Sequence, residues 1–263
     1  MNYEYICKYV INATHDAAHF IQTEAKKFTP DRVETKGLNN FVSYVDKTSE
    51  GILVEALREI LPEAGFITEE ETIKHQGEQL KWVIDPLDGT TNFIHGIPTY
   101  AISVALMDGN ETVVGVVHEL NLNECFYAWK DSPAFKDGNE ICVSNAASVK
   151  DSLIATGFPY YDFHKMKAYL ASLEYFMQNS HGARRIGSAA VDLAYVACGR
   201  FEAFYEYSLH AWDVAAGAFI LQRAGGRVSD FKGGNNYIFG GELVATNALI
   251  YDEFLNVVQK YFI

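Results

Sequence analysis

The sequence predicts an α+β fold of two sheets flanked by helices, on three observations. The chain opens with two segments whose apolar residues recur at helical spacing. Its middle is a series of apolar runs separated by Asp-Gly turns, the pattern of an antiparallel meander. From Ser152 onward short apolar runs alternate with helical ones. Strands supplied by both halves, with helices on both sides of two sheets, make the simplest layered arrangement. The order of the layers does not follow from this pattern alone.

Ile6, Tyr9, Val10, Ala13, Ala17, Phe20 and Ile21 place an amphipathic helix at the start. A second helix begins near Asp46–Thr48 and runs through Ile52, Leu53, Ala56, Leu57 and Ile60, ended by Pro62 and Gly65. Leu80–Ile84 reads as a short buried strand. Tyr100–Met107 and Thr112–Leu120 form a hairpin about Asp108-Gly109-Asn110. Glu124–Trp129 and Glu140–Val143 continue the meander, with a turn at Asp137-Gly138. Then come a strand at Leu153–Thr156, a helix at Met166–Met177, a helix at Ser188–Cys198 and a strand at Phe201–Tyr207. A helix at Trp212–Arg223 stops at Gly225-Gly226, and a strand at Leu243–Thr246 leads to a closing helix at Leu249–Tyr261. Residues 1–150 form an N-terminal half and 151–263 a C-terminal α/β half. With six prolines and no Ser/Gly-rich stretch between them, the two read as one compact unit.

The 263 residues are 49% hydrophobic and 21% charged, a globular composition long enough to hold a core without disulfides or zinc. With 21 Lys+Arg against 34 Asp+Glu the formal net charge is −13, which argues against nucleic acid as the main partner. The four cysteines, Cys7, Cys125, Cys142 and Cys198, lack the spacing of a zinc knuckle or redox pair and read as buried free thiols of a reducing cytosol. Glu4, Lys8, His15 and Asp16 interrupt any signal-peptide core, and Tyr100–Met107 is too short to span a membrane. The expected location is the cytoplasm.

Walker, Gly-x-Gly-x-x-Gly, His-Glu-x-x-His and Gly-x-Ser-x-Gly motifs are absent. Carboxylate placement stands out instead. In Ile84-Asp85-Pro86-Leu87-Asp88-Gly89-Thr90 a buried strand ends in one acid, proline forces a turn, and a second acid follows three residues later. Two such carboxylates can converge on a hard cation such as Mg²⁺ or Mn²⁺; Asp-Gly turn chemistry explains them equally well. Thr68-Glu69-Glu70-Glu71 taken alone is a solvated acidic run, and Asp213 at the start of an apolar helix is a capping residue. Gly187-Ser188-Ala189-Ala190 opens a helix whose N–H groups could meet an anion, or is an ordinary junction.

Taken together, these segments resemble the inositol monophosphatase family of lithium-sensitive, Mg²⁺-dependent phosphatases. The resemblance rests on Asp85-Pro86-Leu87-Asp88-Gly89-Thr90, Trp212-Asp213-Val214-Ala215-Ala216-Gly217, Glu69-Glu70, Val45-Asp46 and Gly187–Ala190, in the family's order across the whole chain. It implies a layered αβαβα sandwich and a homodimer. Glu69, Asp85 and the Leu87 carbonyl would hold a first metal; Asp85, Asp88 and Asp213 would hold a second, with a weaker third near Glu69. Thr90 and Asp46 would orient and deprotonate the attacking water, with Glu69 counted among the catalytic groups. The Gly89 and Thr90 amides would hold phosphate, while Gly187, Ser188, Ala189, Glu206 and Asp213 would face the polyol. Leu87 replaces the commoner isoleucine, which leaves a carbonyl ligand unchanged.

The implied activity is Mg²⁺-dependent hydrolysis of inositol monophosphate or a similar small polyol or sugar phosphate, with two to three ions and Mn²⁺ as a substitute. The same fold and metal site resemble those of fructose-1,6-bisphosphatase and 3′-phosphoadenosine-5′-phosphate phosphatase. For a second phosphate, Arg184, Arg185 and Arg200 are the candidate partners, whereas Glu206 favours a neutral polyol. A non-catalytic metal-dependent binding protein is the third reading. The aromatic Gly157–Tyr161 segment is expected in the core or at an interface, and His210 at the surface or in packing.

Overall fold

Asn2 accepts a hydrogen bond from the Tyr5 N–H (3.1 Å) and caps α1 (Tyr3–Ala25), whose Ile6, Val10, Ala13, Ala17 and Ile21 face inward. A computed structural model describes residues 1–28, 33–37, 40–73, 79–159 and 162–263. After a hairpin of β1 (Val33–Gly37) and β2 (Asn40–Ser43), Ser43 caps α2 (Tyr44–Ile60). Next come β3 (Gly65–Thr68), β4 (Leu80–Asp88), the short α3 (Thr90–Ile94), β5 (Ala101–Asp108), β6 (Glu111–Glu119), β7 (Glu124–Trp129), β8 (Ala134–Lys136) and β9 (Asn139–Ile141). The second part comprises β10 (Leu153–Thr156), α4 (Met166–Asn179), β11 (Gly182–Arg184), α5 (Ala189–Ala197), β12 (Ala203–Tyr207), α6 (Ala211–Arg223), β13 (Arg227–Ser229), β14 (Glu242–Thr246) and α7 (Tyr251–Phe262).

Strands β3 to β9 form a seven-stranded sheet in sequence order, parallel at β3–β4 and antiparallel beyond. The five-stranded sheet has the order β11-β10-β12-β14-β13. Strand β10 runs parallel to both neighbours, while β14 pairs antiparallel with β12 and β13.

The apolar pattern of β5 and β6 fixes the layering. Ile102, Val104, Leu106, Val114 and Val116 pack with α1 and α2; Ala105, Met107 and Val117 face α5 and α6. Both faces are covered, so these antiparallel strands read as unbroken apolar runs rather than alternating ones. On the second sheet, Ala155, Phe204 and Ala245 face α5 and α6. Its opposite face sets Ile154, Tyr205 and Val244 against Tyr169, Phe176 and Phe254 of α4 and α7. The result is the αβαβα order: α1/α2, seven strands, α5/α6, five strands, α4/α7.

The predicted helices and strands are present with ends moved by a few residues, and β4 runs on through Asp88 instead of ending at Ile84. Pairing with β5 carries it past the apolar segment, with a register shift between Asp85 and Asp88. The hairpin β1–β2, the helix α3 and the strands β3, β8, β11 and β13 carried no sequence signal. Each is five residues or fewer, too short for periodicity to show. Phe158, from the aromatic segment, is 44% exposed, and Tyr160 and Tyr161 lie outside the described residues. Of the four cysteines expected to be buried, Cys7 and Cys125 are; Cys198 is half-buried and Cys142, just past the end of β9, is exposed. No described helix is long and apolar enough to cross a membrane.

Candidate active site

Pro86 has no N–H to give the β4–β5 ladder, and the register shift there turns Asp85 and Asp88 toward one cavity. The Leu87 N–H donates to Asp85 Oδ1 (2.9 Å). Gly89 follows at φ 95°, a left-handed conformation natural to glycine, and reverses the chain into α3. At the first position of α3, Thr90 Oγ1 lies 2.8 Å from Asp46 Oδ1 and 2.9 Å from the Leu87 carbonyl. Asp46, fully buried in the first turn of α2, accepts from the Ser43 N–H (2.8 Å) and Ser43 Oγ (2.6 Å) through Oδ2. Burial raises its pKa, and the Ser43 and Thr90 hydrogen bonds oppose that rise.

Asp88 is held from across the molecule. Its Oδ2 accepts from Ser188 Oγ and from the Ala190 N–H, both at 2.7 Å. Part of the donor capacity at the start of α5 is thus spent on a carboxylate of the protein itself. Asp213, in the first turn of α6, accepts from the His210 N–H through Oδ2 (2.6 Å). It therefore caps its helix and faces the cavity at once, and Ser103 Oγ ties that turn to β5 through the Trp212 carbonyl (3.1 Å).

Asp85, Asp88 and Asp213 each bring a carboxylate oxygen within 4.8 Å of the other two, the one such group among the described residues. Burial raises the pKa of all three, that of Asp88 to about 6, and at Asp85 the charges of Glu69, Asp88 and Asp213 add to it. A donor set of one buried and two half-buried carboxylates, with no thiol or imidazole among them, fits a hard divalent cation. Glu69 lines the same cavity outside that trio. Its loop is fixed from below: buried Glu50 of α2 accepts from the Glu70 N–H, the Thr72 N–H (both 2.8 Å) and Thr72 Oγ1 (2.6 Å).

The cavity has a volume of about 350 Å³. Leu87, Gly89, Thr90, Gly187, Ser188, Ala189 and Glu206 line it together with the trio, while Asp46 stands behind Thr90. His210, exposed and stacked on Trp212 (4.6 Å between centroids), reaches its rim. Of the three arginines considered for a second phosphate, Arg185 lines the cavity. Arg200 instead forks onto Glu124 at 2.5 Å, and exposed Arg184 donates to the Ala183 carbonyl. Burial lifts the pKa of Glu206 to about 8, with Arg185 opposing and Asp88 reinforcing the rise.

One family matches nearly the full chain: the model of the inositol monophosphatase family aligns with residues 2–261. The chain belongs to the inositol monophosphatase family. Its relatives in that family include "Nus factor SuhB" of Escherichia coli strain K12, 40% identical over 241 residues, which are 90% of this chain and 89% of that protein. Among solved structures, the extragenic suppressor protein suhB from Bartonella henselae superposes with a TM-score of 0.91 at 36% identity, covering 97% of this chain and 98% of that one. The inositol monophosphatase from Anabaena (Nostoc) gives 0.86 at 29% identity, covering 99% and 98%.

Three features of this family member's cavity and its supports were not singled out from the sequence. Asp192, 1% exposed, is a lone acid in the apolar α5. Such a residue reads as the solvent side of a helix unless that helix is known to lie between two sheets. Gly157 sits where an added Cβ would fall 1.9 Å from Glu206 Oε2. Glu50 reads as an ordinary polar position of an amphipathic helix. No local signal marked the last two.

Proposed function

We propose that the protein is a Mg²⁺-dependent phosphomonoester hydrolase acting on inositol monophosphate or a similar small polyol phosphate. The observation that carries this reading is the convergence of Asp85, Asp88 and Asp213 beside a Thr90 hydroxyl already bonded to Asp46. Asp85, Asp88 and Asp213 would hold one ion; Glu69, Asp85 and the Leu87 carbonyl would hold another, and a third would lie near Glu69. Divalent cations in such a site offset the charge of the ester, acidify a water and stabilise the leaving alkoxide.

The chain's own groups supply the rest. With its proton directed at Asp46 Oδ1, Thr90 Oγ1 keeps a lone pair to accept a hydrogen bond from the attacking water, and Asp46 takes up the proton released. The water oxygen bonds to phosphorus as the ester P–O bond opposite it breaks, and the departing alkoxide takes its proton from a second water. The Gly89 and Thr90 amides hold the phosphoryl oxygens. Gly187, Ser188, Ala189, Asp213 and Glu206 face the polyol; a carboxyl at Glu206 accepts hydroxyls and disfavours a second phosphate. That weighs against a bisphosphate substrate, although Arg185 lines the cavity. We extend to this chain the family's lithium sensitivity and homodimer, and a cytoplasmic location consistent with buried free thiols at Cys7 and Cys125.

A second reading rests on the relatives' name, Nus factor, which points to a part in transcription. With a net charge of −13 that part would run through a protein partner rather than a phosphate backbone. The deciding experiment is phosphate release, with and without Mg²⁺, from myo-inositol 1-phosphate, fructose 1,6-bisphosphate, 3′-phosphoadenosine 5′-phosphate and β-glycerophosphate, with Asp88→Asn as control. Mg²⁺-dependent release fastest from inositol phosphate and lost in the variant supports the reading. Preference for a bisphosphate overturns the substrate class, and no release from any ester leaves the second reading.

A further inference from the structure

Hydrolysis as derived above makes no use of Asp192. This side chain projects from α5, is 1% exposed, and its Oδ1 is buried with no hydrogen-bond partner. A buried carboxylate oxygen left unbonded is rare and costly in a folded protein. It also lines the cavity, beside Glu206, Gly157 and Arg185. Burial and the neighbouring charge of Glu206 both work against its ionisation, and Arg185 partly offsets them. The missing Cβ at Gly157 leaves room for the Glu206 carboxyl, so this part of the wall presents two buried carboxyls around one guanidinium.

The chemistry of that wall selects its ligand. A second phosphate would meet two acids and a single arginine. A neutral alcohol would supply the hydrogen that an unbonded carboxylate oxygen lacks, and Arg185 already supplies a positive charge. We infer that Asp192 is a specificity-determining residue that works beside Glu206, so that the cavity reads at least two alcohols on the carbon skeleton of the ester. The inference rests on the phosphomonoesterase reading and narrows it to polyols over simple esters.

The test compares wild type, Asp192→Asn and Asp192→Ala on myo-inositol 1-phosphate and on phenyl phosphate, which has no alcohol on its skeleton. Calorimetric binding of myo-inositol 1-phosphate and thermal melts accompany the kinetics. In Asp192→Ala the KM and Kd for the inositol ester rise about tenfold or more, while kcat/KM for phenyl phosphate stays within about twofold. Asp192→Asn, which keeps a carbonyl acceptor, shifts in the same direction by less. Because Oδ1 is buried with no partner, replacing the carboxyl leaves Tm unchanged or higher in both variants. Equal losses on the two esters, or a lower Tm with unchanged selectivity, overturn the inference and make Asp192 structural. Failure of the wild type to release phosphate from either ester is a different result: it removes the phosphatase reading and this inference with it.

Discussion

Ser188 Oγ donates to Asp88 Oδ2 across 2.7 Å and a separation of 100 residues, joining the start of α5 to the end of β4. The bond favours the charged form of a carboxylate whose pKa burial has pushed up to about 6. In Ser188→Ala that support is gone, so the Asp88 pKa rises further. Mg²⁺ affinity near pH 6.5 falls several-fold and the protein loses about 1 kcal/mol of stability. Isothermal titration at two pH values checks this; an affinity equal to wild type at both would show the bond to be incidental.

The water-activating pair predicts a clean separation of chemistry from cation binding. Thr90→Ala and Asp46→Asn each lower kcat by about 10²–10⁴-fold, the range expected for loss of a positioned proton acceptor. Thr90→Ser, which keeps the hydroxyl, retains most of the rate. Mg²⁺ affinity in Thr90→Ala changes little. A variant that lost its rate only through lost cation binding would contradict the assignment.

Stability of the cation-free protein should fall as pH rises. Asp88 at about 6 and Glu206 at about 8 stand above the ordinary carboxylate values of about 4. Over that window the folded chain holds protons that the unfolded chain has released, so each rise in pH favours unfolding. Melts in chelator from about pH 5 to about pH 8.5 should show a declining Tm that Mg²⁺ restores at the alkaline end. Glu206→Gln should flatten the part of the decline near pH 8. A Tm that climbs through this range would refute the scheme.

Gly157→Ala tests how the Glu206 carboxyl is seated. The added methyl would fall 1.9 Å from Glu206 Oε2, so the carboxyl must leave its place. Expected is a raised KM for inositol phosphate with kcat on phenyl phosphate within about twofold of wild type. Unchanged KM for both esters would mean that Glu206 does not contact the polyol.

Much of the fold was readable because its signals are local. Asp108-Gly109-Asn110 announces a hairpin, and the apolar spacing in α1 needs only its own helix. Proline and turn residues mark the place where β4 leaves its ladder and α6 begins with a carboxylate, yet it was the family resemblance, not these local signals, that joined Asp85, Asp88 and Asp213 into a set. Asp192 was not, since its meaning depends on α5 being covered on both sides. Glu50 was not, because its partners at Glu70 and Thr72 lie in a loop brought close only by tertiary packing. The dual duty of Ser188 was equally hidden: a helix cap is visible in sequence, its bond to Asp88 is not.

Asp85 and Asp88 come from a strand of the seven-stranded sheet, Asp213 from a helix between the sheets, and the anchors of Asp88 from another such helix. A fragment ending near residue 150 would keep two of the three acids yet possess neither the third nor the clamps that aim the second. Cation affinity in this architecture is therefore a coincidence detector for completed tertiary assembly. A divalent ion would act as a rivet driven in last, stabilising the docking of one sheet on the other instead of either sheet alone.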